Sequence, residues 1–516
     1  MNGRTRREFL ADVGRGMLIA GVGSSVAADL GLATARAAEG SDRLTFGTRE
    51  PLVGMLQDTP PDKLLPLLVR MLHDGAELKD LVAAAALANA RSFGGQDYTG
   101  YHTLMALAPA YHMSKELPAD RAPLAVFKVI YRNSTRIQEK GGAKNEVLHP
   151  VQAAGSAPSG TAVRDAVRTK EMDAAERSFA GLAGRPAAEA FDQLLTAVED
   201  GHDVHRVVLP YRAWCLLDFV GPENAMALLR QSLRYCVESE QHKAAEYNAQ
   251  IRELLPKLID QYHLDARKSG HKTVDDAWVD KMSTTIFQSK AEQAAEVAAA
   301  ALAEGIDPDA VGEAITLAAN QLVLRDAGRR QNEVRPGKPL GSVHGDSIGV
   351  HASDSANAWR HMARVAGPRN AACCLIMGAY QASIDRVERG GDFLNWQPRP
   401  WAEHKQSKLA DDEGDLLRRT EAAIRSNDQA MACAFVAEYG ERRGPARHMF
   451  DLLLKYAVSE EGALHAEKYY RTVAEEFAET RPAFRWRHLI ALARVTASEY
   501  GQPAAGYSDA CRLLGV

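Results

Sequence analysis

Six histidines stand at matched places in the two halves of this chain. They are His102, His112 and His205 in the first half and His351, His361 and His465 in the second. Imidazole titrates near neutral pH, serves as a general acid or base, and is a common nitrogen ligand for transition metals. It is also an awkward core filler, because both ring nitrogens need partners. An imidazole set suits iron, zinc or copper. Spacing limits how such a set can work. Residues ten apart on a straight helix lie about 15 Å apart along the axis and about 80° apart in direction. His102 and His112 therefore cannot bind one ion on an unbroken helix. The spacing instead favours a site built across helices, with His102 meeting His205 and His351 meeting His465, as ligands meet inside helical bundles. Core packing and helix capping compete for the same residues.

Other groups could join such a site. "SVHGDSIGVH" gathers His344, Asp346 and His351 in a Gly-rich loop whose backbone freedom would let them converge. Capping of the next helix by Asp and Ser is the simpler use of that loop. Tyr131 and Tyr380 could donate hydrogen bonds to a ligand or a developing oxyanion, although such tyrosines usually pack with a single hydroxyl bond. "GHDVHR" places His202 and His205 on one helix face. The sequence has no Walker loop, no Gly-x-Ser-x-Gly elbow, no His-Glu-x-x-His and no Gly-x-Gly-x-x-Gly after a strand.

The elements that must position these groups are helical. "DKLLPLLVRMLHDG" and "AELKDLVAAAALANAR" space apolar residues by three and four and stop at or near Gly. "EGDLLRRTEAAIRSNDQAMACAFVAEYG" reads as one helical run ending at Gly, and no series of alternating strands is present. Loops are expected at 141–160, 326–350 and 388–408, where Gly, Pro and polar residues collect. Segment 100–134 aligns with 349–383 without a gap, matching Gly100 to Gly349, His102 to His351, His112 to His361 and Tyr131 to Tyr380. Allowing one inserted residue, "FDQLLTAVEDGHDVHR" aligns with "FDLLLKYAVSEEGALHAEK" and brings His205 opposite His465. Matched histidines and tyrosines carry more weight than matched alanines. The prediction is an all-α protein of two tandem-duplicated lobes about a pseudo-two-fold axis, α-solenoid-like or bundle-like. The lobes are expected over 55–265 and 300–516, joined by helices over 266–299 and preceded by a linker over 38–54.

Residues 1–37 form a different segment. "TRREFL" fits a twin-arginine export motif, followed by a short Gly- and Ser-rich apolar run and a small-x-small close at Ala35-Arg36-Ala37. This predicts handling by the twin-arginine export machinery and a periplasmic or secreted product. The segment holds more Arg than acid, so its loss makes the net charge of −5 more negative. A mildly acidic surface argues against nucleic acid as the main partner. No later stretch is long and apolar enough to cross a membrane. Six cysteines occur without a Cys-x-x-Cys, which leaves thiolate zinc, iron–sulfur and covalent haem sites unsupported.

"RREFLADVGRGML", "LVAAAALANARSFGGQDYTGYHTLMALAPAYHM" and "SVHGDSIGVHASDSANAWRHMA" resemble a set of large twin-arginine-exported helical proteins of planctomycete-type bacteria, a resemblance that implies no activity. The helical, histidine-bearing pattern also resembles the questin oxidase-like proteins, which implies oxidative chemistry, although "GYHTLMALAPAYHM" has fewer clustered histidines than that pattern. The expectation is an exported helical protein with a histidine-held transition metal, acting as an oxidoreductase on a small organic substrate. A non-enzymatic helical scaffold binding a partner on a concave face is the alternative. A hydrolase using histidine with Asp346 is a third.

Overall fold

The computed structural model describes residues 43–155, 159–242, 244–265, 270–405 and 409–516. The export segment expected over 1–37 lies outside them. The described residues are all-α, with 23 α-helices, short 3₁₀ turns and only isolated β-bridges. None of these helices is long and apolar enough to cross a membrane.

Ten helices frame the centre of the molecule: α1 (Leu78–Phe93), α2 (Tyr98–Glu116), α3 (Ala122–Glu139), α4 (Val204–Val220), α5 (Ala225–Gln241), α6 (Pro308–Arg325), α7 (Ile348–Val365), α8 (Pro368–Arg389), α9 (Ala466–Glu479) and α10 (Trp486–Glu499). In the first part of the chain α2 packs on α1 and α3, while α4 packs on α1, α2 and α5. In the second part α7 packs on α6 and α8, while α9 packs on α7 and α10. Two further contacts join the parts: α2 against α9, and α4 against α7.

The two central helices α1 and α6 explain this packing. Every residue of α1 from Leu81 to Phe93 is buried, and α6 is buried almost throughout from Ala310 to Leu324. A helix that is apolar on all sides must be enclosed by others. Alanine fills six of the thirteen positions in α1 and four of the fifteen in α6, so neighbouring helices approach closely. Buried ion pairs then fix the alignment of facing helices. Lys128 on α3 meets Glu467 on α9 at 2.7 Å, and Arg360 on α7 meets Glu476 on α9 at 2.6 Å. Arg212 on α4 reaches Glu475 at 3.4 Å and donates to Thr472 at 3.1 Å. The six cysteines are free and unpaired, four of them buried.

One expected element divides. The run from Glu413 to Gly440 is two helices, Glu413–Arg425 and Gln429–Glu441. Asn427 takes a left-handed φ of 56° between them, and Asp428 caps the second by accepting from Met431 N. Asn and Asp tolerate that conformation and cap well, so the "SNDQ" within the run outweighed its apolar periodicity.

The turn between α1 and α2 sets where α2 begins. Gly94 and Gly95 both have positive φ, and a Cβ on Gly95 would lie 2.2 Å from the Gln231 carbonyl oxygen of α5. Gly95→Ala therefore adds a backbone penalty to a clash that flexible side chains cannot relieve. The expected cost is about 2 kcal/mol or more, read as a lower urea midpoint at unchanged denaturant slope.

Candidate functional site

Four helices begin at one place. α2, α4, α7 and α9 each place a histidine at or near its first two turns: His102, His205 and His351 within the helix, and His465 at the N-cap. Asp97 caps α2 by accepting from Gly100 N at 2.8 Å. Asp203 caps α4 by accepting from His205 N and Arg206 N at 3.0 and 3.1 Å. α9 is reached through a 3₁₀ turn in which Ala463 and Leu464 take φ of 49° and 70°. Such values are uncommon for residues other than glycine. That turn directs His465 inward.

The four rings form a closed quartet. His102 Nε2 and His205 Nε2 lie 3.1 Å apart, and His351 Nε2 and His465 Nε2 lie 2.8 Å apart. The ring centroids of His102 and His465 are separated by 4.7 Å, and those of His205 and His351 by 5.8 Å. His102 and His465 are each 1% exposed, so they form the inner side, while His205 and His351 are partly buried. Among the described residues, no group of three or more His, Cys, Asp or Glu side chains is spaced to hold a metal ion as it stands. The quartet nitrogens pair with one another instead.

Outer contacts assign the protons. His465 Nδ1 lies 2.6 Å from the Ala463 carbonyl, which can only accept. His465 therefore carries its proton on Nδ1, and His351 donates Nε2–H to its bare Nε2. His102 Nδ1 faces Lys468 Nζ at 2.7 Å. Burial pushes the Lys468 amine down to about 7. As an ammonium it donates to His102, whereas as a free amine it accepts from Nδ1–H and leaves His102 Nε2 bare. His205 Nδ1 is 3.8 Å from Asp203, whose carboxylate also accepts from Tyr235 Oη at 2.7 Å.

All four imidazoles are held neutral. Burial lowers His205 to about 4 and His351 to about 3, and it also lowers His102 and His465, which sit near Lys468. The positive ends of four helices act in the same direction. Tyr98, 52% exposed, covers the quartet on the solvent side, with its ring 4.5 Å from His102. The Tyr101 ring lies tilted 4.9 Å from that of His205 and edge-to-face 5.3 Å from that of Tyr235. The loop before α7 closes the other side. A Cβ on Gly345 would lie 2.5 Å from His465 Cβ, and Gly345 N donates to buried Glu499 at 2.6 Å.

The remaining predicted residues stand elsewhere. His361 stacks on Tyr211 at 5.2 Å and lies 3.5 Å from Glu479. His112 lies among Arg471, Glu475, Arg212 and Glu116. His344 is buried and lowered to about 4. Asp346 is held by Arg329 at 2.5 Å and by Lys338. Tyr131 packs beside Gly506, and Tyr380 donates to Gln250 Oε1 at 2.8 Å. Sequence reasoning passed over Tyr98, Tyr101, Tyr235, Asp203 and Lys468. "HAEK" did hold a signal, because a lysine three residues after a histidine shares its helix face. No known protein family, curated protein or solved structure matches the chain.

Acidification from pH 7 to 5 is expected to lower the melting temperature. The unfolded chain binds protons at its histidines near pH 6.5, while native His202, His205 and His344 hold out to about 4 and His351 to about 3. The unfolded state binds more protons across that window, so stability falls with pH. Glu499, raised by burial to about 7, and Asp80, Glu199, Asp354, Asp385 and Glu388, also raised by burial, oppose this but are outnumbered by nine histidines that burial lowers. A melting temperature that is flat or climbs between pH 7 and 5 contradicts this assignment.

Proposed function

We propose that the quartet of His102, His205, His351 and His465 binds one transition metal ion through Nε2, in an exported protein that carries out oxidative chemistry on a small organic molecule. The observation that carries this reading is the closed ring of four neutral imidazoles with Nε2 turned toward Nε2. With metal–nitrogen bonds of about 2.0–2.1 Å, two imidazole nitrogens sit about 2.9 Å apart at right-angled positions and about 3.3 Å apart at tetrahedral ones. Within each couple, at 2.8 and 3.1 Å, the nitrogens need to part by only a few tenths of an ångström. An ion held by all four also requires the couples, with ring centroids 4.7 and 5.8 Å apart, to close on it. An all-imidazole set suits iron, copper or zinc. The carbonyl of Ala463 and the Lys468 amine supply the outer hydrogen bonds that ligating histidines need.

The oxidative reading is supported by the neutral all-nitrogen donor set and by Tyr98 and Tyr101 packed on it, and by the resemblance to questin oxidase-like proteins. The matched contacts, α2 on α9 and α4 on α7, support an origin in two related halves. The residues over 1–37 support handling by the twin-arginine export machinery. One observation favours the non-enzymatic scaffold: each Nε2 already has a partner, so the quartet could serve as a polar clasp between helices.

Elemental analysis separates the two. The protein, exposed to Fe(II), Cu(II) or Zn(II) and then gel-filtered, is expected to retain one ion per chain. His205→Ala and His465→Ala are each expected to weaken retention by about 10-fold or more. Cu(II) electron paramagnetic resonance provides a second readout, with hyperfine coupling to several imidazole nitrogens expected in the intact protein. Folded protein that retains no ion and shows no such coupling overturns the metal reading.

A further inference from the structure

A cleft lies away from the quartet. It has a volume of about 570 Å³ and is bounded by the helix Asp276–Gln288, the C-terminal end of α6, the segment Pro398–Pro400, the helix Gln429–Glu441 and the start of α10. Three arginines line it: Arg325, Arg399 and Arg487.

Their pairing is uneven. Arg487 meets Asp280 at 3.1 Å. Arg325 donates to Gln321 Oε1 at 2.8 Å and to the Trp396 carbonyl at 2.6 Å, with no carboxylate partner among the described residues. The Arg399 guanidinium makes no hydrogen bond or ion pair among the described residues and lies 4.2 Å over the Trp401 ring. Burial lowers both Arg325 and Arg399. Elsewhere this protein commonly meets buried guanidinium with carboxylate, as at Arg206–Glu240, Arg230–Glu176 and Arg360–Glu476. Asp428 and Glu403 act on Arg399 through space without touching it, so neither guanidinium has a carboxylate in hydrogen-bond reach among the described residues. Partial desolvation of such a cation is unfavourable, and an anion bound in the cleft would relieve it. The two groups spring from adjacent backbone, since Arg399 N donates to the Leu324 carbonyl at 2.9 Å.

The rest of the cleft defines the anion. Phe287, Trp486 and Phe484 supply aromatic surface, and Leu324 and Ile490 supply aliphatic surface. Asp280 and Glu441 are the acids that line it. Asp280 is taken up by Arg487, which leaves Arg325 and Arg399 as the lining guanidiniums with no carboxylate in contact among the described residues, and the aromatic walls beside them suit an anion that carries a ring. We propose that this cleft binds a small aromatic carboxylate, with its carboxylate on Arg325 and Arg399 and its ring against Phe287 and Trp486. Planar guanidinium matches carboxylate geometry in two-point contacts. The proposal is independent of the metal reading, because no quartet residue takes part.

The test is titration of the full chain with 2-naphthoate and benzoate, followed by tryptophan fluorescence and calorimetry. At least one of the two is expected to bind saturably, and the matching amide, which has the same ring without the charge, at least about 10-fold more weakly. Arg325→Gln and Arg399→Gln are each expected to weaken the carboxylate about 10-fold or more while the melting temperature stays put. Inorganic phosphate is expected not to compete. Equal affinity for acid and amide, unaltered binding in both variants, competition by phosphate at comparable concentration, or no saturable binding of either carboxylate would overturn the proposal.

Discussion

The centre of this protein depends on keeping four imidazoles dry. An imidazolium buried beside three others would meet both desolvation and like-charge repulsion, so the rings must stay neutral. Neutral rings need donors and acceptors matched nitrogen by nitrogen. The structure supplies them from backbone and neighbouring side chains: the Ala463 carbonyl for His465, Lys468 for His102, and an Nε2 pairing across each couple. Four helix N-termini aimed at the same point reinforce neutrality, because their amide dipoles repel positive charge. The start of each helix, the caps at Asp97 and Asp203 and the left-handed turn before α9 all serve that one electrostatic condition.

A quartet assembled from distant segments is only as exact as the helices that carry it. Here alignment comes from buried charge as well as from close alanine packing. Lys128–Glu467, Arg212–Glu475 and Arg360–Glu476 all end on α9, the helix that begins with His465. A buried pair of this kind adds little net stability over an apolar match, but breaking one partner away costs about 3–5 kcal/mol. The effect is to penalise any slippage of α9 against α3, α4 or α7. Lys468 lies on the same helix, so the ring contact and the alignment device share one rigid body.

Much of this arrangement was legible from residue types. Period and punctuation gave the helices, because capping and glycine stops act locally. The matched histidines gave the pairs His102 with His205 and His351 with His465, since only helix starts could bring residues so spaced together. His112 and His361 carried the same repeat signal but lie two to three turns further along α2 and α7, where the helices have diverged toward Arg212 and Glu475. Asp346 looked reactive beside His344, yet Arg329 and Lys338 occupy its oxygens. That engagement depends on how the loop folds back, which no local pattern encodes. Tyr98, Tyr101 and Tyr235 went unnoticed because aromatic residues beside helix starts are ordinary in sequence, and only packing reveals what they cover.

The quartet draws His102 from near the beginning of the described chain and His465 from near its end. No partial product of synthesis that stops before His465 contains it. While the polypeptide is growing, each imidazole stays hydrated and free to protonate, and the low-polarity chamber that neutralises all four comes into being only when α9 docks. The enclosure of the four rings is therefore a late event, set by the docking of α9 and not by any one segment as it is made.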